Sequence, residues 1–331
     1  MKVRTLLLFL TLPAALLPVL SCSSPAHAVD EHYYLVATNT KLPYWQAAKD
    51  GFLKVAGQYR VKAEMVGPDT YDAQAELSEF QRVAKLEKTS GILISAADAS
   101  IMKDAIDRAI AAGVPVITID SDVPTSKRVM FVGTNNYAAG QLGGRELVSR
   151  TNGKGNFVVF TMPGQLNLSE RLKGYRDAFA DHPGMKIVDT VDIKGDPRVA
   201  FDTANDLMTK KKNDIDGFIC LEASAGQEVA DVLNRDGIKD KIVIAMDTND
   251  ETLNWVKKGA IAATIAQKPF TMAYFGMEML DAIHHHKPQS LDHDWAQDAF
   301  SIYPTFVDTG ATLVNSSNVD NFRQAQQESG R

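Results

Sequence analysis

The sequence predicts an α/β protein made of two Rossmann-like lobes, each built around a parallel sheet. From His32 onward, apolar strand-like runs alternate with amphipathic stretches of helix length, the pattern of βαβ units. Two of those runs repeat one design: VPVITID, ending at Asp120, and KIVIAMD, ending at Asp247, are β-branched and aliphatic, lack polar alternation and stop at a carboxylate. Strands buried on both faces read this way. Ligands of open α/β sheets bind beyond the carboxyl ends of the strands, so two opposed sheets would share one cleft with an acid from either side. A length of 331 residues suits two domains of ordinary size.

Met1 to Ser21 carries Lys2 and Arg4, then an apolar run from Leu6 to Leu20 too short to span a bilayer comfortably, as in an export signal. Two exits are open. Val19-Leu20-Ser21-Cys22 resembles a lipobox, which would end the signal at 21 and acylate Cys22; Ala26-His27-Ala28 is an A-x-A cleavage site, which would end it at 28. The other cysteine, Cys220, sits in the apolar run GFICL and reads as a small buried hydrophobe.

The strands expected after the signal are Tyr33 to Thr38, Val61 to Val66, Gly91 to Ser95, Pro115 to Asp120 and Val129 to Val132. A second set runs Asn156 to Thr161, Lys186 to Ile193, Gly217 to Leu221, Ile242 to Asp247 and Ala262 to Gln267. Helices are expected over Tyr44 to Gln58, Ala73 to Glu87, Ile101 to Ala112, Tyr137 to Arg150, Glu170 to Ala180, Val199 to Lys210 and Gln227 to Asp236. Gly113 and Gly237 fall just past helices, where a positive φ is wanted. Another helix, Phe270 to His286, has apolar positions suited to packing on a sheet, and Ser301 to Val307 reads as a late strand.

The net charge of −6 and the lack of a Lys/Arg-rich run argue against nucleic acid as a partner. Enzyme signatures are poor: there is no Walker A sequence, no G-x-G-x-x-G after a strand, no G-x-S-x-G and no H-E-x-x-H. His284-His285-His286 reads as a solvated helix end, because three consecutive side chains on a helix point in different directions and cannot all reach one ion. No catalytic residue, metal or cofactor is expected. Paired acids would also suit glycoside hydrolysis, but Arg171 nearby would hold both ionised, which disfavours a general acid.

Binding chemistry is easier to place. Tyr44 and Trp45 stand at a strand-to-helix junction, where a flat ring can stack on the C–H face of a sugar. Asp120 and Asp247 are acceptors for hydroxyl hydrogens, whereas Asp122 reads as a turn residue. Arg171, near a helix start, offers a fork of donors, and Gln267, ending IAATIAQ, both donates and accepts.

With those positions marked, the chain resembles the ribose/galactose class of periplasmic solute-binding proteins of ABC importers, the type I periplasmic binding proteins. The resemblance lies in PYWQAAKDGF (Pro43 to Phe52), AGVPVITIDSD (Ala112 to Asp122), VGTNNYAAGQLGG (Val132 to Gly144), SERLKGY (Ser169 to Tyr175), IVIAMD (Ile242 to Asp247) and IAATIAQKP (Ile261 to Pro269), in that order. It implies a three-segment hinge, with crossings near Thr134, near Gln267 and between His286 and Tyr303. The lobes would then be 30–134 plus 268–290, and 135–267 plus 300–325. Carried over position by position, the ligand contacts fall on Tyr44, Trp45, Ser95, Asp120, Thr134, Arg171, Glu222, Asp247 and Gln267. Leu42, Ser95 and Glu222 stand where the ribose pattern has Asn, so a ligand other than ribose is expected, and the segment around Asp196-Pro197 leaves a second stacking partner unassigned. The resemblance implies an exported monomer in the periplasm or cell envelope, free or lipid-anchored. It would capture a small carbohydrate by hinge closure for a membrane permease, or present it to a chemoreceptor or histidine kinase.

Overall fold

The computed structural model describes residues 30–328. The signal segment and Cys22 lie outside them. Each βαβ unit places a strand, then a covering helix, then the next parallel strand. The first set comprises β1 (His32–Val36), α1 (Pro43–Tyr59), β2 (Lys62–Val66), α2 (Ala73–Ala84), β3 (Thr89–Ile94), α3 (Ala99–Ala111), β4 (Val116–Ile119) and β5 (Phe131–Gly133). The second comprises α4 (Asn136–Thr151), β6 (Lys154–Thr161), α5 (Leu166–Phe179), β7 (Gly184–Asp192), α6 (Pro197–Lys210), β8 (Gly217–Cys220), α7 (Ala225–Arg235), β9 (Ile242–Met246), α8 (Asp250–Lys258) and β10 (Ala263–Ala266). The chain then runs through α9 (Pro269–His285), β11 (Phe306–Asp308), β12 (Thr312–Asn315) and α10 (Val319–Glu328).

Two six-stranded sheets result, ordered β11-β5-β4-β3-β1-β2 and β12-β10-β9-β8-β6-β7. Central strands such as β4 and β8 are buried along their whole length, as their unbroken apolar runs require. Each sheet has its own apolar core, one centred on Leu35, Ile92 and Ile117, the other on Val158, Ile219 and Ile244.

One expected boundary is corrected. The late strand β11 pairs in parallel with β5, Val307 opposite Val132, so the tail through Asp308 completes the first sheet and does not join the second. Trp295 and Leu291 pack into the first core as well. The third crossing is therefore the short link from Asp308 to Thr312, after which β12 pairs antiparallel with β10. It is not the segment between His286 and Tyr303. The other crossings run from Gly133 to Asn136 and from Ala266 to Pro269. The helix α8 was not anticipated, although its own signals are in place: the Asn249 side chain caps the Thr252 N–H and Gly259 closes it at φ 80°.

The helices α4 and α5 approach so closely that a Cβ on Gly140 would stand 2.0 Å from the Arg171 carbonyl oxygen, and one on Gly174 2.2 Å from that of Tyr137. Only glycine fits there. That approach brings Arg171, in α5, beside Asn136, which opens α4.

Candidate functional site

Where β4 and β9 end, the backbone turns sharply: Asp120 has φ 61° and Asp247 φ 66°, the left-handed region. Both carboxylates line one cavity of about 160 Å³ between the lobes. From the first lobe its wall includes Leu42, Tyr44, Trp45, Tyr71 and Asp120; from the second, Asn167, Arg171, Pro197, Glu222 and Asp247; Gln267 comes from a crossing.

The Asp120 carboxylate is heavily engaged. It accepts from the Tyr44 hydroxyl at 2.7 Å, from Ser95 Oγ at 3.0 Å and from Asn167 Nδ2 at 3.3 Å. The last bond crosses between the lobes. Burial nevertheless raises the acid above the usual carboxylate range, against the pull of Arg171 and these donors. Asp247 accepts from Gln267 Nε2 at 2.9 Å. Burial pushes it up to about 7, opposed by Arg171 and Gln267. For Asp247 the expectation that Arg171 would hold the acid ionised is thus corrected, because desolvation outweighs it.

The reason lies in where the guanidinium points. Arg171 donates through Nε to Asn136 Oδ1 at 2.8 Å, through Nη1 to the Leu221 carbonyl at 2.7 Å and through Nη2 to Gln267 Oε1 at 2.9 Å. It reaches Asp247 only through the Gln267 amide. Arg171, Gln267 and Asp247 therefore form one relay along the second-lobe wall.

Tyr44 and Trp45 meet edge to face, ring centres 5.2 Å apart. Burial raises the Tyr44 phenol well above its usual range, with the nearby Asp120 and Asp247 charges adding to it, so it remains a donor to Asp120. Trp45 is also part of the first core, so its ring is anchored as well as presented.

Two expected positions are corrected. Ser95 is fully buried behind Asp120 and does not line the cavity. Thr134 lies at the first crossing, away from the cavity wall, with a buried hydroxyl that has no partner. Glu222 does line the cavity, but its two oxygens accept from the Ser224 and Ala225 N–H groups at 2.8 and 2.6 Å, at the start of α7. A carboxylate suits that helix N-terminus. Asp122 is structural, as expected: it takes Arg128 Nη2 at 2.6 Å and Thr118 Oγ1 at 2.6 Å.

Asn167 escaped the sequence reading, since its role depends on how the lobes meet. Near Asp196, Gly195 and Pro197 reach the wall, and the aromatic ring there is Tyr71 of the first lobe. A Cβ on Gly195, at φ 70°, would stand 2.4 Å from Tyr71 Cβ. The histidine triplet is not wholly solvated: His286 is exposed, but His284 and His285 are half-buried, and His285 Nε2 lies 3.2 Å from Glu31 Oε2. Among the described residues, no helix is long and apolar enough to cross a membrane.

Comparison with known proteins agrees with this architecture. AraP, an arabinose-binding protein from Geobacillus stearothermophilus, is 33% identical, with a TM-score of 0.71 over 88% of this chain and 99% of its own. GanP, a glucose-galactose binding protein from the same organism, is 26% identical, with a TM-score of 0.79 over 87% and 98%. The ribose import binding protein RbsB of Bacillus subtilis is 24% identical over 86% of this chain and 92% of its own. The family model described as periplasmic binding protein domain matches residues 33–288. Two sheets meeting over one acid-lined cavity, together with these likenesses, establish that the chain belongs to the type I periplasmic binding protein family, the sugar-binding proteins of ABC importers.

Proposed function

We propose that this protein is the exported, non-enzymatic capture subunit of an ABC importer, holding one small carbohydrate, a monosaccharide or polyol, between its lobes. The observation that carries this reading is the cavity of about 160 Å³ with Asp120 on one wall and Asp247 on the other. Carboxylates accept from hydroxyl donors, rings cover C–H faces, and each hydrogen bond to a charge is worth ~1.5–3 kcal/mol. A few of them plus stacking reach the ~8 kcal/mol of micromolar affinity.

The ligand contacts assigned are Tyr44, Trp45, Asp120, Arg171, Asp247 and Gln267, with Glu222 at the margin. Ser95 acts from behind the wall through Asp120, and Thr134 belongs to the first crossing. The wall holds three carboxylates and one guanidinium, which favours a ligand rich in donors over an acidic one. Because both lobes touch the ligand only when they are together, binding draws the open form closed. The lobes, 30–134 with 268–308 and 135–267 with 312–328, move as units about the three crossings, and a membrane permease reads the closed form. The mature chain begins after export, with Cys22 as its lipid anchor; intact mass of the mature protein separates that from cleavage after Ala28.

The test is calorimetry against pentoses, hexoses and polyols, with small-angle scattering of free and saturated protein. Micromolar one-to-one binding with compaction supports the reading. Binding without compaction removes hinge closure, and turnover of any sugar in the panel would make the protein an enzyme.

A further inference from the structure

At the far end of the first sheet from the cavity, three metal-ligating side chains converge. Glu31 immediately precedes β1, while Asp281 and His285 are four apart near the end of α9 and so share one helix face. One ligand atom from each lies within 4.8 Å of the others. His285 Nε2 stands 3.2 Å from Glu31 Oε2 and 3.7 Å from Asp281 Oδ1. A tetrahedral ion with bonds of about 2.0–2.2 Å to imidazole nitrogen and carboxylate oxygen spaces its ligand atoms about 3.3–3.6 Å apart. The two measured edges bracket that spacing.

The surroundings support the same arrangement. Both carboxylates are buried, and the His285 side chain keeps 19% of its exposure, which leaves solvent access for a fourth ligand. Tyr33, buried beneath, donates its phenol to Asp281 Oδ1 at 3.1 Å and so fixes the orientation of that carboxylate, as outer partners do at metal sites.

We propose that Glu31, Asp281 and His285 bind one divalent transition-metal cation of the zinc class, with water completing the coordination. The ion would join the start of β1 to the end of α9, tying the first strand of the lobe to the helix that returns after the second crossing. From Glu31 to the cavity residue Thr38 the chain covers about 23 Å at strand rise, so the ion would act on the stability of this lobe and not on ligand chemistry.

The experiment is titration of tag-free protein with Co²⁺, followed by displacement with Zn²⁺. One equivalent of Co²⁺ giving tetrahedral ligand-field bands, displaced by Zn²⁺, is expected. His285→Ala and Glu31→Gln should weaken binding on the order of a hundredfold and Tyr33→Phe about tenfold, while His286→Ala leaves it unchanged. No saturable band in the parent protein overturns the proposal. So does binding that survives His285→Ala, or that vanishes with His286→Ala, since either assigns the metal to exposed histidines. Should His285→Ala fail to melt cooperatively, the isosteric Asp281→Asn decides in its place.

Discussion

The two lobes each end a central strand in an aspartate, yet they treat it differently. In the first lobe Asp120 is met by Tyr44 and Ser95 of its own lobe before any ligand arrives, and by Asn167 from across the gap. In the second, Asp247 is met by Gln267, itself held by Arg171. The first half-site is set in advance, whereas the second keeps acceptor capacity in hand. Its carboxylate, equally buried but with fewer donors, is the one that burial raises to about 7. The lesson is that equal positions in a repeated architecture do not imply equal shares of binding free energy.

The largest expected difference follows directly. Asp247→Asn should weaken carbohydrate binding on the order of a hundredfold, as two hydrogen bonds to a charge are lost, while Asp120→Asn should cost about tenfold because most of its bonds are internal. Calorimetry on the two variants checks the order, and a larger loss at Asp120 would break the comparison.

The pH dependence sharpens it. A carboxyl raised from 3.8 to about 7 holds a proton in the folded protein that the unfolded chain has already released. The folded state then binds more protons, so this group stabilises the ligand-free protein below its unfolded value. That contribution declines as pH rises and is gone once pH has passed about 7. Hydroxyl donors want the ionised form, so affinity should climb as pH passes through about 7, with proton release on binding just below it. Calorimetry in buffers of different ionisation enthalpy measures that proton. Asp247→Asn should abolish the release, whereas Asp120→Asn should leave most of it.

Asn167→Ala removes a bond that crosses between the lobes. It should weaken binding about three- to tenfold, from the ~0.5–1.5 kcal/mol of one hydrogen bond, and scattering should show a more open ligand-free protein. The smallest effect is expected at Ser95. Ser95→Ala should cost about 1 kcal/mol in denaturant unfolding and change affinity less than about threefold, because the hydroxyl stands behind the wall.

Much of this was legible in the chain. The strand pattern marked both sheets, and the carboxylates ending two buried runs marked both sides of the cavity. Arg171 and Gln267 were legible as residues but not as a relay, since their bond joins positions 96 apart in sequence. Asn167 and the contact of Gly195 with Tyr71 depend on how two separately folded surfaces meet, which no local pattern records. The strand β11 was misplaced for a similar reason: Phe306 pairs with Phe131, far earlier in the chain, and nothing within so short a strand says which sheet lacks an edge. Ser95 and Glu222 sit where wall residues were expected, but one faces inward and the other is used by the helix it precedes.

The left-handed backbone at Asp120 and Asp247 has a consequence for anyone wishing to redirect this receptor to a new cargo. Among ordinary residues, glycine, asparagine and aspartate tolerate that conformation without much penalty. The two central anchors therefore have a very short list of replacements, and retuning has to come from neighbours on ordinary backbone, Leu42 at φ −68° and Asn167 within α5 foremost.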